Sequence, residues 1–204
     1  MSSKYVIGYP PELAWVAAAW RENAPGLEIV EVPLAGDDSV VAAALAGAGE
    51  GDSAFVVAGA ERLNMRRLEL MGLVKSLGVA MPPLLCRGAV VAATASVGEN
   101  CFIGAGAVVG PLCRIGYNSV VGAGAIVGSG AAIGTSVFID DGARVGRGAS
   151  LAAHATLGLG VIIGHGVKVG KFSIVDKPGC YSADVEARTF IHASHARPIV
   201  VIGQ

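Results

Sequence analysis

Three polar side chains recur at a constant interval along the chain, Ser129, Arg147 and His165, and the first and the last have possible roles in proton transfer. An imidazole can accept a proton from an attacking amine or hydroxyl group, whereas a serine needs an adjacent base to act at neutral pH. Two adjacent carboxylates, Asp140 and Asp141, could orient an imidazole or accept a proton themselves. The candidate catalytic residues are therefore His165, Ser129, Asp140 and Asp141.

Each candidate also has a purely structural interpretation, and the sequence leaves both open. His165 could be a solvent-exposed histidine at a turn. Asp140 and Asp141 could cap a turn, because aspartate bonds to local backbone amides and tolerates unusual dihedral angles. The other three histidines are expected at the surface: His154, His192 and His195.

The interval matters because it equals three units of a six-residue repeat, which runs over 88–177 without an insertion. The fourth place of the hexad is Val, Ile or Leu in all 15 units; the second is Ala, Cys or Ser in 12, and the fifth is Gly in 11. A branched side chain suits an inward-facing strand position, a small one relieves crowding, and glycine permits turn dihedral angles. The pattern predicts short stacked strands around a continuous aliphatic core.

These hexads resemble the left-handed parallel β-helix of the hexapeptide-repeat acyltransferases, in which three hexads make one triangular coil. On this resemblance, residues 88–177 form about five coils spaced by about 4.8 Å, and Ser129 and His165 share one edge about 10 Å apart. Members of this class are usually homotrimers with an acyl-CoA groove between neighbouring helices. The resemblance therefore implies a homotrimer that uses acetyl-CoA or another acyl-CoA as co-substrate, with no metal.

Residues 1–85 have a different pattern, in which strand and helix signals alternate. They predict a small Rossmann-like α/β domain with a three-stranded parallel sheet, followed by the β-helix at 86–180 and a closing segment at 181–204. Such an arrangement resembles the bacterial nucleotide-sugar N-acetyltransferases and sialic-acid O-acetyltransferases, whose first domain binds the acceptor. The similar segments are 54–78, 98–127 and 183–199.

The catalytic signature of that family reads aliphatic, acidic, His, Asp, with a second His nine residues after the first. An ungapped match places the first His on Ser129, the Asp on Gly130 and the second His on Phe138. The resemblance thus implies a transferase without the family histidines and with a non-standard base. His165 follows an aliphatic residue by two positions, as the family histidine does, and is the candidate substitute.

The resemblance also suggests which residues contact the acceptor: Gly8, Gly59 and Arg66. Gly8 belongs to a loop that binds nucleotide phosphates in the family, but Pro10 and Pro11 follow it here and have no N–H to donate. The phosphate cradle is therefore at best partial.

Cations that could bind the phosphates of coenzyme A lie in the C-terminal third. Solvated corner charges are the alternative interpretation. The four candidates are Arg147, Lys168, Lys171 and Arg197.

Composition excludes several other classes of protein. A formal net charge of −1 gives no overall field for nucleic acid or an anionic membrane. The N-terminus does not look like a signal peptide and the four cysteines lack CxxC spacing, so we expect a cytoplasmic protein in a reducing compartment. Residues 115–139 carry no charge, yet their glycines follow the hexad spacing, so no membrane span is predicted.

Three functions remain open from the sequence. The first is an acyl-CoA-dependent acyltransferase, with acetyl as the favoured group, acting on an amino or hydroxyl group of a sugar or related small metabolite. The second is a non-catalytic trimeric scaffold or ligand-binding relative. A third, metal-dependent hydration of the carbonic anhydrase type on the same helix, needs three convergent histidines, and the spacing of His154 and His165 does not put them on one edge.

Overall fold

The computed structural model describes residues 2–57 and 64–201. Strands and helices alternate up to residue 76: β1 Ser3–Gly8, α1 Glu12–Asn23, β2 Glu28–Pro33, α2 Ser39–Leu45, β3 Ser53–Val56 and α3 Met65–Ser76. The three strands are parallel and lie in the order β2, β1, β3. This confirms the predicted α/β unit with a parallel sheet.

Both faces of this small sheet are covered, which is why its central strand is apolar on both sides. On one face, Ile7 of β1 packs with Val41 of α2 and Leu70 of α3. On the other face, Val6 packs with Leu13 and other residues of α1. The second cluster also includes residues after position 83, so the unit is packed directly onto the rest of the chain.

From residue 84 the strands become short and regular. They are β4 Leu84–Leu85, β5 Val90–Val91, β6 Ser96–Val97, β7 Phe102–Ile103, β8 Val108–Val109, β9 Arg114–Ile115, β10 Val120–Val121, β11 Ile126–Val127, β12 Ala132–Ile133, β13 Phe138–Ile139, β14 Arg144–Val145, β15 Ser150–Leu151, β16 Thr156–Leu157, β17 Ile162–Ile163, β18 Lys168–Val169, β19 Ile174–Asp176 and β20 Cys180–Tyr181.

These strands form a parallel solenoid in which each strand residue pairs with its equivalent three hexads later, as Val120 does with Phe138. Face A contains β4, β7, β10, β13, β16 and β19; face B contains β5, β8, β11, β14, β17 and β20; face C contains β6, β9, β12, β15 and β18. We name the corners AB, BC and CA after the faces that they join. The predicted β-helix is confirmed, and it has about six turns rather than five because pairing begins at Leu84.

The interior follows the hexad rule. Aliphatic side chains at the fourth place and mostly small ones at the second form one continuous core, from Ala89 and Val91 to Val175. Cys101 and Cys113 occupy second places and are buried. Stacked hexads therefore bury the column of residues that the sequence pattern predicts.

Glycine is required at the fifth hexad place, but not because of turn dihedral angles, as the sequence predicts. The left-handed turn conformation lies mostly at the first place of the hexad, at residues such as Gly106 (φ 69°) and Asn118 (φ 61°). A Cβ on Gly104 would lie 2.7 Å from the backbone nitrogen of Ala123 in the next coil. Glycine at the fifth place is therefore required by close coil stacking rather than by an unusual φ.

The C-terminal segment closes the solenoid. Strand β21 (Thr189–His192) pairs in parallel with β19, and strand β22 (Ile199–Val200) pairs antiparallel with β21. No helix within residues 2–57 and 64–201 is long and apolar enough to cross a membrane. The uncharged stretch 115–139 lies in strands and turns of the solenoid.

Arg67 of α3 joins the α/β unit to the CA corner. Its side chain is 1% exposed and donates hydrogen bonds to the carbonyl oxygens of Val56, Asn118 and Asn100, the first two at 2.9 and 2.8 Å. Burial lowers the pKa of Arg67 to about 10. A guanidinium suits this position because its several N–H donors can bond three carbonyls at once.

Candidate functional site

A cavity of about 360 Å³ lies between the α/β unit and face A of the solenoid. Its floor is the outward column of face A at the third hexad place: Phe102, Val120 and Phe138. Those positions are equivalent in successive coils, so the stacking of three coils builds the floor. The opposite side is formed by residues of α1, β3 and α3: Glu12, Trp15, Val16, Phe55, Val57 and Arg67.

Asp140 and Asp141 line the same cavity at the AB corner. One oxygen of Asp140 accepts the Asp141 N–H at 2.9 Å, and one oxygen of Asp141 accepts the Ala123 N–H of the preceding coil at 2.6 Å. These bonds agree with the turn-capping interpretation. The second oxygen of each carboxylate has no hydrogen-bond partner among the described residues, so each carboxylate can also receive a proton or bind a cation.

The positive charge nearest to this site belongs to Arg67, which lines the cavity and lies over the Phe55 ring at 5.4 Å. No carboxylate pairs with Arg67 in the described part of the chain; its hydrogen bonds go to carbonyl oxygens. Glu12 adds a third carboxylate from the first turn of α1. The cavity therefore combines an apolar body with more negative than positive groups.

Gly8 is the last residue of β1 and is in close contact with the chain just after β3. A Cβ on Gly8 would lie 2.6 Å from the carbonyl oxygen of Val57. The N–H groups that open α1 bond within the chain: Leu13 donates to Tyr9, and Ala14 and Trp15 donate to Pro11. Few of the helix N–H groups that commonly hold a phosphate are thus available there.

Arg66, the second predicted acceptor-binding residue, is engaged by its own chain. It forms a two-pronged ion pair with Asp38 and bonds more weakly to Tyr9 and Glu69 at 3.4 Å each. The hydrogen bonds to Asp38 and Tyr9 raise the pKa of Arg66 above its ordinary value. Gly59, the third predicted residue, lies outside the described residues.

Ser129, Arg147 and His165 lie on the BC corner, on the shared edge that the spacing predicts. The coils are linked by backbone hydrogen bonds from Gly148 to Ser129 and from Gly166 to Arg147. The His165 Nδ1 accepts the Arg147 N–H at 3.0 Å, so a neutral ring carries its hydrogen on Nε2. Neither Ser129 nor His165 lines the cavity, and the structure does not bring them together with Asp140 and Asp141.

The four candidate phosphate-binding cations are dispersed over the surface of the solenoid and its closing segment. Arg147 lies on the BC corner, Lys168 on face C, and Lys171 at the CA corner with its Nζ 4.8 Å from the Phe172 ring centre. Arg197 lines a second cavity, of about 490 Å³, in the closing segment beside Lys177 and His195. None of the four has an ion-pair partner among the described residues.

Two of the three remaining histidines are at least partly exposed, as expected. The expectation is wrong for His154, which is 6% exposed and stacks on Phe172 with ring centres 5.0 Å apart. The first hexad place at the CA corner is mostly buried, which explains this result. Within the described ranges, no group of three or more His, Cys, Asp or Glu could hold a metal ion.

Most of the cavity is not evident from the sequence. Phe102 and Phe138 do carry a signal, because aromatic side chains at the outward third place have no role in the solenoid core. The resemblance marks Phe138 only as the position where the family places its second histidine. Trp15, Phe55 and Arg67 have no signal of their own, since helix and strand patterns do not reveal which face meets the solenoid.

No family model and no curated protein matches the sequence. Solved structures match the fold over nearly the whole chain. PerB from Caulobacter crescentus, crystallised in complex with CoA and GDP-perosamine, has a TM-score of 0.84 at 24% identity and 98% coverage of both chains. The acetyltransferase domain of PglB from Neisseria gonorrhoeae, also crystallised with acetyl coenzyme A, has a TM-score of 0.70 at 19% identity, covering 98% of this chain and 100% of that one. At these identities the likeness establishes the fold.

Proposed function

We propose that this chain is an acyl-CoA-dependent acyltransferase that transfers an acetyl group to an amino group of a sugar or related small metabolite. The observation that carries the proposal is the carboxylate pair Asp140 and Asp141, which lines the cavity between the α/β unit and the solenoid. Both of those parts superpose on PerB, an enzyme crystallised with CoA and an amino-sugar nucleotide.

The reaction needs a group that takes a proton from the acceptor nitrogen. The neutral amine attacks the thioester carbonyl, the new C–N bond forms, the C–S bond breaks, and the CoA sulfur leaves. The proton lost by the nitrogen passes to the free oxygen of Asp141, with Asp140 beside it as a second carboxylate, and then to the departing sulfur. The same carboxylates attract the acceptor as an ammonium ion before it loses its first proton.

His165 is not the proton acceptor in this proposal. Its Nδ1 accepts a backbone N–H, so the neutral ring offers a hydrogen at Nε2 rather than a lone pair. It also lies on the BC corner, away from the cavity. We therefore assign proton acceptance to the AB corner, and the predicted catalytic roles of His165 and Ser129 stay predictions for mutagenesis to decide.

The second cavity is the part of the molecule best suited to the phosphates of coenzyme A. Lys177, His195 and Arg197 converge there, and phosphates favour arginine and lysine donors. Arg147, Lys168 and Lys171 remain further candidates along the solenoid surface.

A homotrimer is also part of the proposal. Face B presents exposed apolar side chains at the third hexad place in four of its coils, with Arg144 between the last two: Val90 at 59%, Val108 at 38%, Ile126 at 37% and Ile162 at 39% exposure. Such a column on a flat sheet suits burial against another copy of the chain. Sedimentation equilibrium of the purified protein would test it, with a monomer as the contradicting result.

Calorimetric titration with acetyl-CoA is the decisive test of the function. We expect binding in the micromolar range, about −6 to −8 kcal/mol. Arg197→Gln should weaken the affinity about tenfold, while Arg21→Gln, an exposed arginine of α1 paired with Glu31, should leave it unchanged. Absence of binding by a folded wild-type protein would refute acetyl transfer and favour a non-catalytic scaffold.

A further inference from the structure

We infer that the acceptor carries its amino group on an apolar, ring-bearing body, as an arylalkylamine does, rather than on a nucleotide-linked sugar. This inference rests on the proposed function and concerns the same cavity.

The lining of the cavity is unsuited to a polyhydroxylated ring. Among the described residues, no Ser, Thr, Asn, Gln, Tyr or His lines it. Each sugar hydroxyl that enters without a hydrogen-bond partner costs free energy, because it loses its bonds to water. The three lining carboxylates can accept hydrogen bonds from sugar hydroxyls, but the floor of Phe102, Val120 and Phe138 offers a hydroxyl no side-chain partner.

An aromatic ring matches the same lining well. Phe102 and Phe138 form two parts of the floor and are partly exposed, whereas Phe55 of β3 also lines the cavity but is 1% exposed. Aromatic side chains bind another ring by offset or edge-to-face contacts that add to the burial of apolar area. Trp15 lies beside them and is 65% exposed, so a further aromatic surface is available to a ligand.

The charges select a cation as the polar end of the ligand. Three carboxylates line the cavity, those of Glu12, Asp140 and Asp141, against the single cation Arg67 among the described residues. The Arg67 guanidinium already donates to three carbonyl oxygens, which leaves it with less capacity to bind an anion. An ammonium group at the AB corner would lie where the free carboxylate oxygens are.

The loop that would hold a nucleotide offers little to phosphate in the described part of the chain. Pro10 and Pro11 lack N–H groups, and the N–H groups of Leu13, Ala14 and Trp15 bond to carbonyls of the same turn. Arg66 is paired with Asp38. The cavity volume of about 360 Å³ lies near the lower end of the range for small-molecule sites, which suits a small amine.

The test compares acceptors in a CoA-thiol release assay on the wild-type protein, at saturating acetyl-CoA. The acceptors are 2-phenylethylamine, glucosamine and GDP-perosamine, and calorimetry measures the binding of each without catalysis. We expect 2-phenylethylamine to give a kcat/KM at least about tenfold above either sugar, and the uncharged 2-phenylethanol to bind more weakly than the amine. The same order should hold for the binding affinities.

A matched pair of variants locates the effect. Val120→Thr places a hydroxyl on the cavity floor at nearly constant volume and should lower kcat/KM for 2-phenylethylamine about fivefold. Val200→Thr makes the same change at an exposed position of β22 that does not line the cavity, and it should have no effect.

The outcomes separate the two proposals. Preference for GDP-perosamine or glucosamine, or rates within about threefold of one another, would overturn the arylalkylamine inference and leave acetyl transfer standing. If acetyl-CoA does not bind, the proposed function fails, and the calorimetric order of the three amines alone decides the inference about the cavity.

Discussion

The CA and AB corners are built from the same hexads, yet their polar side chains are used in opposite ways. At the CA corner, Asn100 bonds to the Val56 N–H at 2.8 Å and to Asn118 at 2.9 Å, and Asn118 bonds to Ser136 at 3.0 Å. These three side chains are at most 1% exposed. At the AB corner, Asp140 and Asp141 each use one oxygen locally and keep the other free beside a cavity.

This contrast separates structural from functional polar residues on a repetitive scaffold. A buried polar side chain with its bonds used inside the protein holds elements together, because leaving those groups unpaired would be costly. A carboxylate with an unused oxygen beside an apolar cavity contributes little to stability and is available for a ligand. Mutations at the CA corner should therefore lower the free energy of unfolding, whereas mutations at the AB corner should lower the activity.

The largest effect is expected at the CA corner. Arg67→Met removes the donors of three carbonyls and should lower the free energy of unfolding by about 3–5 kcal/mol. Urea unfolding followed by circular dichroism measures this change. The matched variant Arg66→Met, at an ion pair that is partly exposed to solvent, should cost about 1 kcal/mol or less. Equal losses in the two variants would contradict a special role for the corner.

The second effect is on activity rather than stability. Asp141→Asn should lower kcat by about 100-fold in the thiol release assay, because an amide cannot accept the acceptor proton. Asp176→Asn is the control, since Asp176 occupies the fifth hexad place on the same corner two coils after Asp140 but does not line the cavity. Unfolding of both variants should remain close to that of the wild type.

His165→Ala completes this comparison. We expect its kcat in the thiol release assay to fall by about threefold or less, because His165 lies on another corner than Asp141. A loss as large as that of Asp141→Asn would move the proton acceptor to the BC corner and contradict the proposed assignment.

The smallest effect is expected at Lys4. Its ammonium group is buried like the polar groups of the CA corner, but in the described part of the chain it lacks their hydrogen-bond partners. Lys4 is 1% exposed, its Nζ has no hydrogen-bond partner among the described residues and lies 4.2 Å from the Trp20 ring centre, and burial lowers its pKa to about 8. Lys4→Met should raise the free energy of unfolding at pH 7 by about 1–2 kcal/mol.

The pH dependence of this effect has a definite sign. Between the folded pKa of about 8 and the ordinary value of 10.5, the unfolded chain binds more protons at Lys4 than the folded one. Wild-type stability at this site therefore rises with pH across that interval, and the advantage of Lys4→Met shrinks. Urea unfolding of both proteins at several pH values measures the difference, and a constant difference would contradict the assignment.

The repeat was predictable from sequence because its signal is local and periodic. A branched residue at every fourth hexad place, such as Ile103 or Val145, can only point inward if each coil contains a whole number of hexads. The α/β unit was also predictable, since its strands and helices have clear apolar patterns. The reason for the fifth-place glycines was not, because the clash that excludes a Cβ at Gly104 involves Ala123 in another coil.

The cavity was less predictable because it depends on how two parts meet. Arg67 lies 51 positions before Asn118, and nothing in the helix pattern distinguishes it from a solvent-exposed arginine. Only the docking of the α/β unit on face A makes Phe102 and Phe138 the floor of a cavity. Asp140 and Asp141 were identified in the sequence as breaks in the glycine pattern, whereas their separation from His165 required the coil geometry.

The antiparallel strand β22 has a consequence for the behaviour of the molecule in concentrated solution. A parallel solenoid with open ends presents unpaired backbone groups on which further copies could stack end to end into fibres. At one end, β22 covers β21 in the opposite direction and breaks the register of the coils. At the other end, Leu84 of β4 packs into the core of the α/β unit. The sheet of face A thus ends on both sides in a segment that does not continue the parallel coil pattern, which disfavours end-to-end stacking of copies on this face.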